Sequence, residues 1–376
     1  MKREPTPAER EGETNTSRSL PPQVVPTKYW STLADGRVEC TLCPRACRLQ
    51  EGQRGLCFVR ARQSGAIVLT TYGRSSGFCV DPIEKKPLNH FLPGTPILSF
   101  GTAGCNLTCK FCQNWSISKA RETDALADAA SPERVASEAK RLGCRSVAFT
   151  YNDPVIFHEY AVDVAQECRA AGIKSVAVTA GYICREPRAE FFAHMDAANV
   201  DLKAFTERFY HQVCGGHLEP VKETLVYLKR ETRVWFELTT LLIPGENDSE
   251  GELEAMTQWV VGALGPDVPM HFTAFHPDYR MKDKDHTPLA TLDRAWRIAR
   301  KNGIRYAYTG NVRNPQGEST HCHECDAVLV RRDRYQLSGW GLSDDGRCVR
   351  CGAAWAGVVE GRPGQWGPRR LPVTLS

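Results

Sequence analysis

The chain has 376 residues, long enough to bury a large core and to form one big α/β domain with appendages. Its 48 Lys+Arg against 44 Asp+Glu leave a net charge of +4, which excludes a nucleic-acid binder working mainly through charge. Cysteine is the informative residue: 16 of them, with no secretory signal, point to metal ligation in a reducing compartment rather than a disulfide framework, hence to the cytoplasm.

Residues 1–28 are charged, Pro-rich and free of an apolar stretch of signal-peptide type, so a disordered tail is expected there. No segment approaches the roughly 20 apolar residues of a membrane helix, and no membrane partner is expected. Residues 29–92 read as a Cys-rich N-terminal module. Its run CTLCPRACRLQEGQRGLC supplies Cys40, Cys43, Cys47 and Cys57 at x2, x3 and x9 spacing. Four soft ligands close a zinc site or hold an Fe-S cluster, and spacing alone leaves both open.

Between residues 93 and 315, β-rich runs recur: PILSFGT, SVAFTYN, SVAVTAGY, NVDLKAF, WFELTTLLI, MHFTAF and YAYTG. Helical patterns fill most of the gaps. One predicted helix has Ser131 as N-cap and Pro132 at its first position, aligns Val135, Ala139 and Leu142, and stops at Gly143. Another spaces Phe157, Ala161, Val164, Cys168 and Ala171 before Gly172. This alternation predicts a parallel sheet with right-handed crossovers that closes fully or partly into a barrel, with a doubly wound open sheet as the rival. Barrel chemistry sits at the C-terminal ends of strands, where YND, DLK and His276 fall.

The run GTAGCNLTCKFCQNW follows the first of these strands and spaces Cys105, Cys109 and Cys112 as C-x3-C-x2-C. Three thiolates hold three irons of a cubane and leave the fourth open to substrate, the logic by which catalytic zinc sites keep a position free. The run resembles the radical SAM superfamily, whose signature is this spacing with an aromatic, here Phe111, before the third cysteine. That resemblance implies a partial or full (β/α) barrel, a [4Fe-4S] cluster, S-adenosylmethionine (SAM) on the open iron, and Phe111 close to the adenine. TYNDP, Thr150 to Pro154, lies where the superfamily usually carries Gly-Gly-Glu-Pro. The resemblance therefore aims Asn152 and Asp153 at the SAM amino group, although the wording departs from the pattern. Asp201 and Lys203 in DLK, the run LLIPGENDS and His276 in AFHP are similar to stretches of the glycyl-radical-enzyme activases related to the pyruvate formate-lyase activator. In that group the lysine and histidine bind the carboxylate and ribose region of SAM. Cys144, Cys168, Cys184 and Cys214 read as packed apolar residues.

Residues 316–376 form a zinc-ribbon-like C-terminal module. CHEC and CVRC, separated by 22 residues, offer Cys322, Cys325, Cys348 and Cys351 to a structural zinc, a rubredoxin-like iron or an auxiliary cluster. From about Cys40 to Gly357 the chain resembles the radical SAM component of AmmeMemoRadiSam systems, carried by CTLCPRACRLQEGQRGLCFVR, KKPLNHFLPGTPILSFGTAGCNLTCKFCQNW, TYNDP, YTGNV and the terminal cysteine pairs. That resemblance implies association with Memo-family and Ammecr-family proteins and leaves the reaction open. The function expected is reductive cleavage of SAM to a 5'-deoxyadenosyl radical, with an electron from a flavodoxin or ferredoxin. The hydrogen donor would be a protein, peptide or small molecule; nucleic acid is not expected. A zinc-ribbon adaptor without catalysis is the alternative.

Overall fold

The computed structural model describes residues 23–120, 126 and 128–375. Its frame is one nine-stranded sheet. Seven strands run parallel and side by side in chain order: β2 (Pro96–Phe100), β3 (Ser146–Phe149), β4 (Lys174–Thr179), β5 (Ala197–Asp201), β6 (Trp235–Leu242), β7 (Met270–Ala274) and β8 (Ala307–Gly310). The strands are joined by the helices α1 (Pro132–Arg141), α2 (His158–Ala170), α3 (Arg185–Ala193), α4 (Leu218–Glu231), α5 (Glu250–Leu264) and α6 (Leu289–Lys301). A doubly wound sheet reverses its strand order to place helices on both faces. Here the order never reverses, so right-handed crossovers stack every helix on one side and the sheet curls into a partial barrel.

The local signals act as read. Ser131 caps α1 by accepting the Arg134 N–H at 3.3 Å, with Pro132 at the first position, and Val135, Ala136 and Ala139 are buried. Ser249 plays the same part for α5, accepting from the Glu252 N–H. Ser146–Phe149 is buried along its whole length, as a strand covered on both faces must be. Behind it Phe100 packs Phe149, Phe157 and Tyr160 at centroid distances of 5.6, 6.2 and 5.7 Å.

The sheet reaches outside the 93–315 span. β1 (Phe78–Pro82) pairs antiparallel with β2, and β9 (Leu371–Val373) pairs antiparallel with β1. The tail also ends earlier than residue 28: Gln23–Pro26 is a strand paired with Ala66–Tyr72, and residues 1–22 lie outside the described residues. Alternation cannot foresee either pairing, because both partners are distant in sequence. The N-terminal module adds a sheet of Trp30–Thr32, Val38–Cys40 and Arg48–Leu49, and the C-terminal module one of Thr320–His321, Val328–Asp333 and Gln336–Trp340. Val358 locks the latter on, its N–H on the His90 carbonyl at 2.7 Å and its carbonyl on the Leu92 N–H at 2.9 Å. Among the described residues no helix is long and apolar enough to cross a membrane.

Candidate active site

The cysteine loop leaves the C-terminal end of β2 and is held from three sides. Thr108 and Lys110 donate their N–H groups to the carbonyls of Cys214 and Val213, at 2.8 and 3.0 Å. Asn106 Nδ2 reaches the Tyr182 carbonyl at 2.9 Å. Gly104 sits at φ +84°, and a Cβ there would stand 1.9 Å from the Cys57 carbonyl oxygen, so only glycine allows the loop to lie against the N-terminal module. Cys109 is buried, while Cys105 and Cys112 are half-buried.

TYNDP follows β3. Asn152 accepts the Thr102 N–H on Oδ1 at 3.2 Å and donates from Nδ2 to the Gly104 carbonyl at 2.8 Å. Both ends of its amide thus grip the cysteine loop. Asp153 accepts from the Val155 N–H at 3.1 Å, the Thr179 hydroxyl at 2.9 Å and the Ala180 N–H at 3.0 Å. That carboxylate fastens the end of β3 to the turn after β4, and burial raises its pKa.

At the end of β5, Lys203 Nζ lies 2.8 Å from Asp201 Oδ2 and 5.9 Å from the centroid of the Phe111 ring. Burial works against this ammonium, but Asp201, Cys109 and Cys214 outweigh it and hold the lysine well above its ordinary range. Cys214, read from sequence as packing, meets Cys109: a hydrogen bond between the thiols lowers Cys109, and burial raises Cys214. A lone cysteine in a distant segment carries no spacing signal, so this neighbour was illegible before folding.

His276 lies beyond β7, exposed, on a cavity of about 460 Å³ at the mouth of the barrel. Gln113, next to Cys112 in sequence, lines the same cavity, as do Glu84, His271 and Arg332. Glu84 Oε2 and Arg332 Nε are buried there without a hydrogen-bond partner. Burial pushes the Glu84 carboxyl up to about 7. Under the cavity His271 Nε2 contacts Glu237 Oε2 at 2.7 Å, and the N–H groups of Asn89 and His90 donate to the same carboxylate at 3.0 and 2.7 Å. Burial opposes the Glu237 charge, but His271, His90 and the Asn89 amide hold its pKa below the usual value. Sequence reading missed this network because its members come from separate segments.

The C-terminal thiols form a tight set. Cys322 and Cys351 Sγ are 3.6 Å apart, Cys325 and Cys348 Sγ 3.7 Å, and all four sulfurs lie within 4.8 Å of one another. One tetrahedral ion with bonds of about 2.3 Å sets its sulfurs about 3.8 Å apart, so this set fits a single metal ion. The three thiols of the central loop are the donor set of an open cubane. Phe111 lies within the loop and the Lys203 charge acts on Cys109, so the set fits that group.

A model of the radical SAM superfamily matches residues 100–256, the stretch that carries the cysteine loop, TYNDP and DLK. The chain belongs to the radical SAM superfamily, and that membership implies SAM and an iron-sulfur cluster. More narrowly, it shares a family with the uncharacterized protein MJ0808 of Methanocaldococcus jannaschii, 37% identical over 325 residues, covering 86% of this chain and 96% of that protein. The 4-hydroxyphenylacetate decarboxylase activating enzyme of Clostridium scatologenes is 29% identical over 107 residues, 28% of this chain and 34% of that enzyme. A crystal structure of a domain of pyruvate-formate lyase-activating enzyme from Bacteroides vulgatus is similar with a TM-score of 0.40 at 17% identity, covering 44% of this chain and 99% of that domain.

Proposed function

We propose that this protein is an enzyme that cleaves SAM reductively at a [4Fe-4S] cluster held by Cys105, Cys109 and Cys112 and takes a hydrogen atom from a substrate in the mouth cavity. The observation that carries the reading is that the cysteine loop after β2, with its Phe111, meets Lys203 and the segment that follows β5. When bound, the cluster and SAM supply one-electron cleavage of a C–S bond, giving methionine and a 5'-deoxyadenosyl radical.

The chain's own residues bind and orient. Lys203 offers an ammonium to the SAM carboxylate in a cleft of low dielectric. Phe111 supplies a flat apolar face for the adenine, and His276 a ring on the ribose side of the cavity. Asn152 and Asp153 serve the site by holding the cysteine loop and the turn after β4 in register. Glu84, His271 and Arg332 give the cavity a polar lining, which suits a polar substrate.

The reading extends to partners. The electron comes from a flavodoxin or ferredoxin, and the chain works in the cytoplasm with Memo-family and Ammecr-family proteins. The likeness to an activating enzyme supports a protein backbone as one class of hydrogen donor, and the C-terminal set holds a structural zinc. Electron paramagnetic resonance of anaerobic, dithionite-reduced protein tests the core of this. SAM should change the cluster signal; a spectrum unaltered by saturating SAM would contradict it.

A further inference from the structure

Cys40, Cys43, Cys47 and Cys57 all line one narrow, largely apolar cavity. Cys40 and Cys47 are brought together by a ladder bond, the Cys40 N–H on the Cys47 carbonyl at 2.9 Å. A Cβ on Gly55 would stand 3.6 Å from Cys47 Sγ and 3.7 Å from Cys57 Sγ, so both sulfurs face the same wall. Burial raises the thiols of Cys40, Cys43 and Cys57, and the backbone N–H groups of Leu42, Arg45 and Arg60 work against that rise. Donors aimed at sulfur are how a chain supports metal-bound thiolates.

Arg60 is an independent sign of an anionic centre. It is 1% exposed and lines the cavity. Its Nε donates to the Ile156 carbonyl and its Nη2 pairs with Glu159, while Nη1 is buried with no hydrogen-bond partner. A buried guanidinium N–H without an acceptor is costly. The sulfurs of an anionic four-thiolate centre would satisfy it.

Sulfur spacing separates the two kinds of centre. Among the described residues, the C-terminal set alone brings three or more ligand atoms within 4.8 Å of one another. The N-terminal set is not one of these; its four thiols are gathered on one cavity. We infer that Cys40, Cys43, Cys47 and Cys57 hold a second [4Fe-4S] cluster, ligated at every iron by protein. It shares a wall with the SAM loop: Asn106 of that loop lines the cavity, and Arg45 Nε donates to its carbonyl at 3.1 Å. With no open iron, this cluster binds no substrate. The inference does not depend on SAM cleavage at the central loop.

The test uses the full chain with Cys105, Cys109 and Cys112 all changed to alanine, reconstituted anaerobically, and counts acid-labile sulfide, which no single-ion site contains. The variant should keep about four irons and about four sulfides per chain, roughly half the wild-type content. A variant with Cys40, Cys43, Cys47 and Cys57 changed to alanine should lose the same amount while retaining the central cluster. Should this second variant fail to fold, the first decides alone. Zinc without sulfide, or no sulfide at all, in the central-loop variant would overturn the inference.

Discussion

Replacing Asn152 separates support of the cysteine loop from contact with SAM. In Asn152→Ala the Thr102 N–H and the Gly104 carbonyl lose their partners at 3.2 and 2.8 Å, inside a site where Asn152 is 7% exposed. Each buried group left unsatisfied costs about 1 kcal/mol or somewhat more, so the loss should total about 2–3 kcal/mol. For a domain of this size that lowers Tm by on the order of 5 °C. Asn152→Asp keeps the acceptor for Thr102 but sets an oxygen against the Gly104 carbonyl and adds a buried charge, so it should be at least as damaging. The assays are anaerobic thermal unfolding at a fixed scan rate, iron and sulfide content, and SAM affinity by equilibrium dialysis. Iron should be lost while the protein that retains it binds SAM with the wild-type Kd. An unchanged Tm together with a roughly tenfold weaker Kd, about 1.4 kcal/mol of lost binding, would show that Asn152 touches SAM and refute the reasoning.

Lys203→Met should raise the SAM Kd by about 10 to 100-fold, the worth of one charge-assisted contact, with iron content unchanged; titration calorimetry on reconstituted protein reads this. Glu84 ties stability to pH. Its folded pKa of about 7 stands above the ordinary value of 4.5, so the native state holds the proton more tightly, and stability falls as pH rises from the lower value through the higher. At about 1.4 kcal/mol per unit this amounts to roughly 3 kcal/mol. Denaturant unfolding should therefore show Glu84→Gln gaining on wild type between about pH 5 and about pH 8, and a constant gap would count against the buried carboxyl. Cys325→Ala should remove one metal ion per chain and leave acid-labile sulfide untouched, as read by elemental analysis.

What was legible in the sequence was local. Cysteine spacing marked the C-terminal thiols that the fold brings together, and the capping of α1 by Ser131 followed from a few residues of context. Strand and helix alternation gave the parallel sheet, and the unreversed order then selected the partial barrel over its rival. What stayed hidden depends on long-range packing. The pairing of Leu371 with Val80 joins residues from opposite ends of the chain, and no period announces it. The hydrogen bonds of Asn152 to the cysteine loop and of Asp153 to the neighbouring turn depend on backbone that no motif encodes. Arg60 carried no signal at all until the fold buried it beside four cysteines.

The central claim, that one open iron on the loop of Cys105, Cys109 and Cys112 cleaves SAM, is met most directly by measuring 5'-deoxyadenosine formed from SAM and dithionite under anaerobic conditions. Wild-type protein should form it, and each single alanine variant of those cysteines should not. Full product from any of the three variants would contradict the assignment.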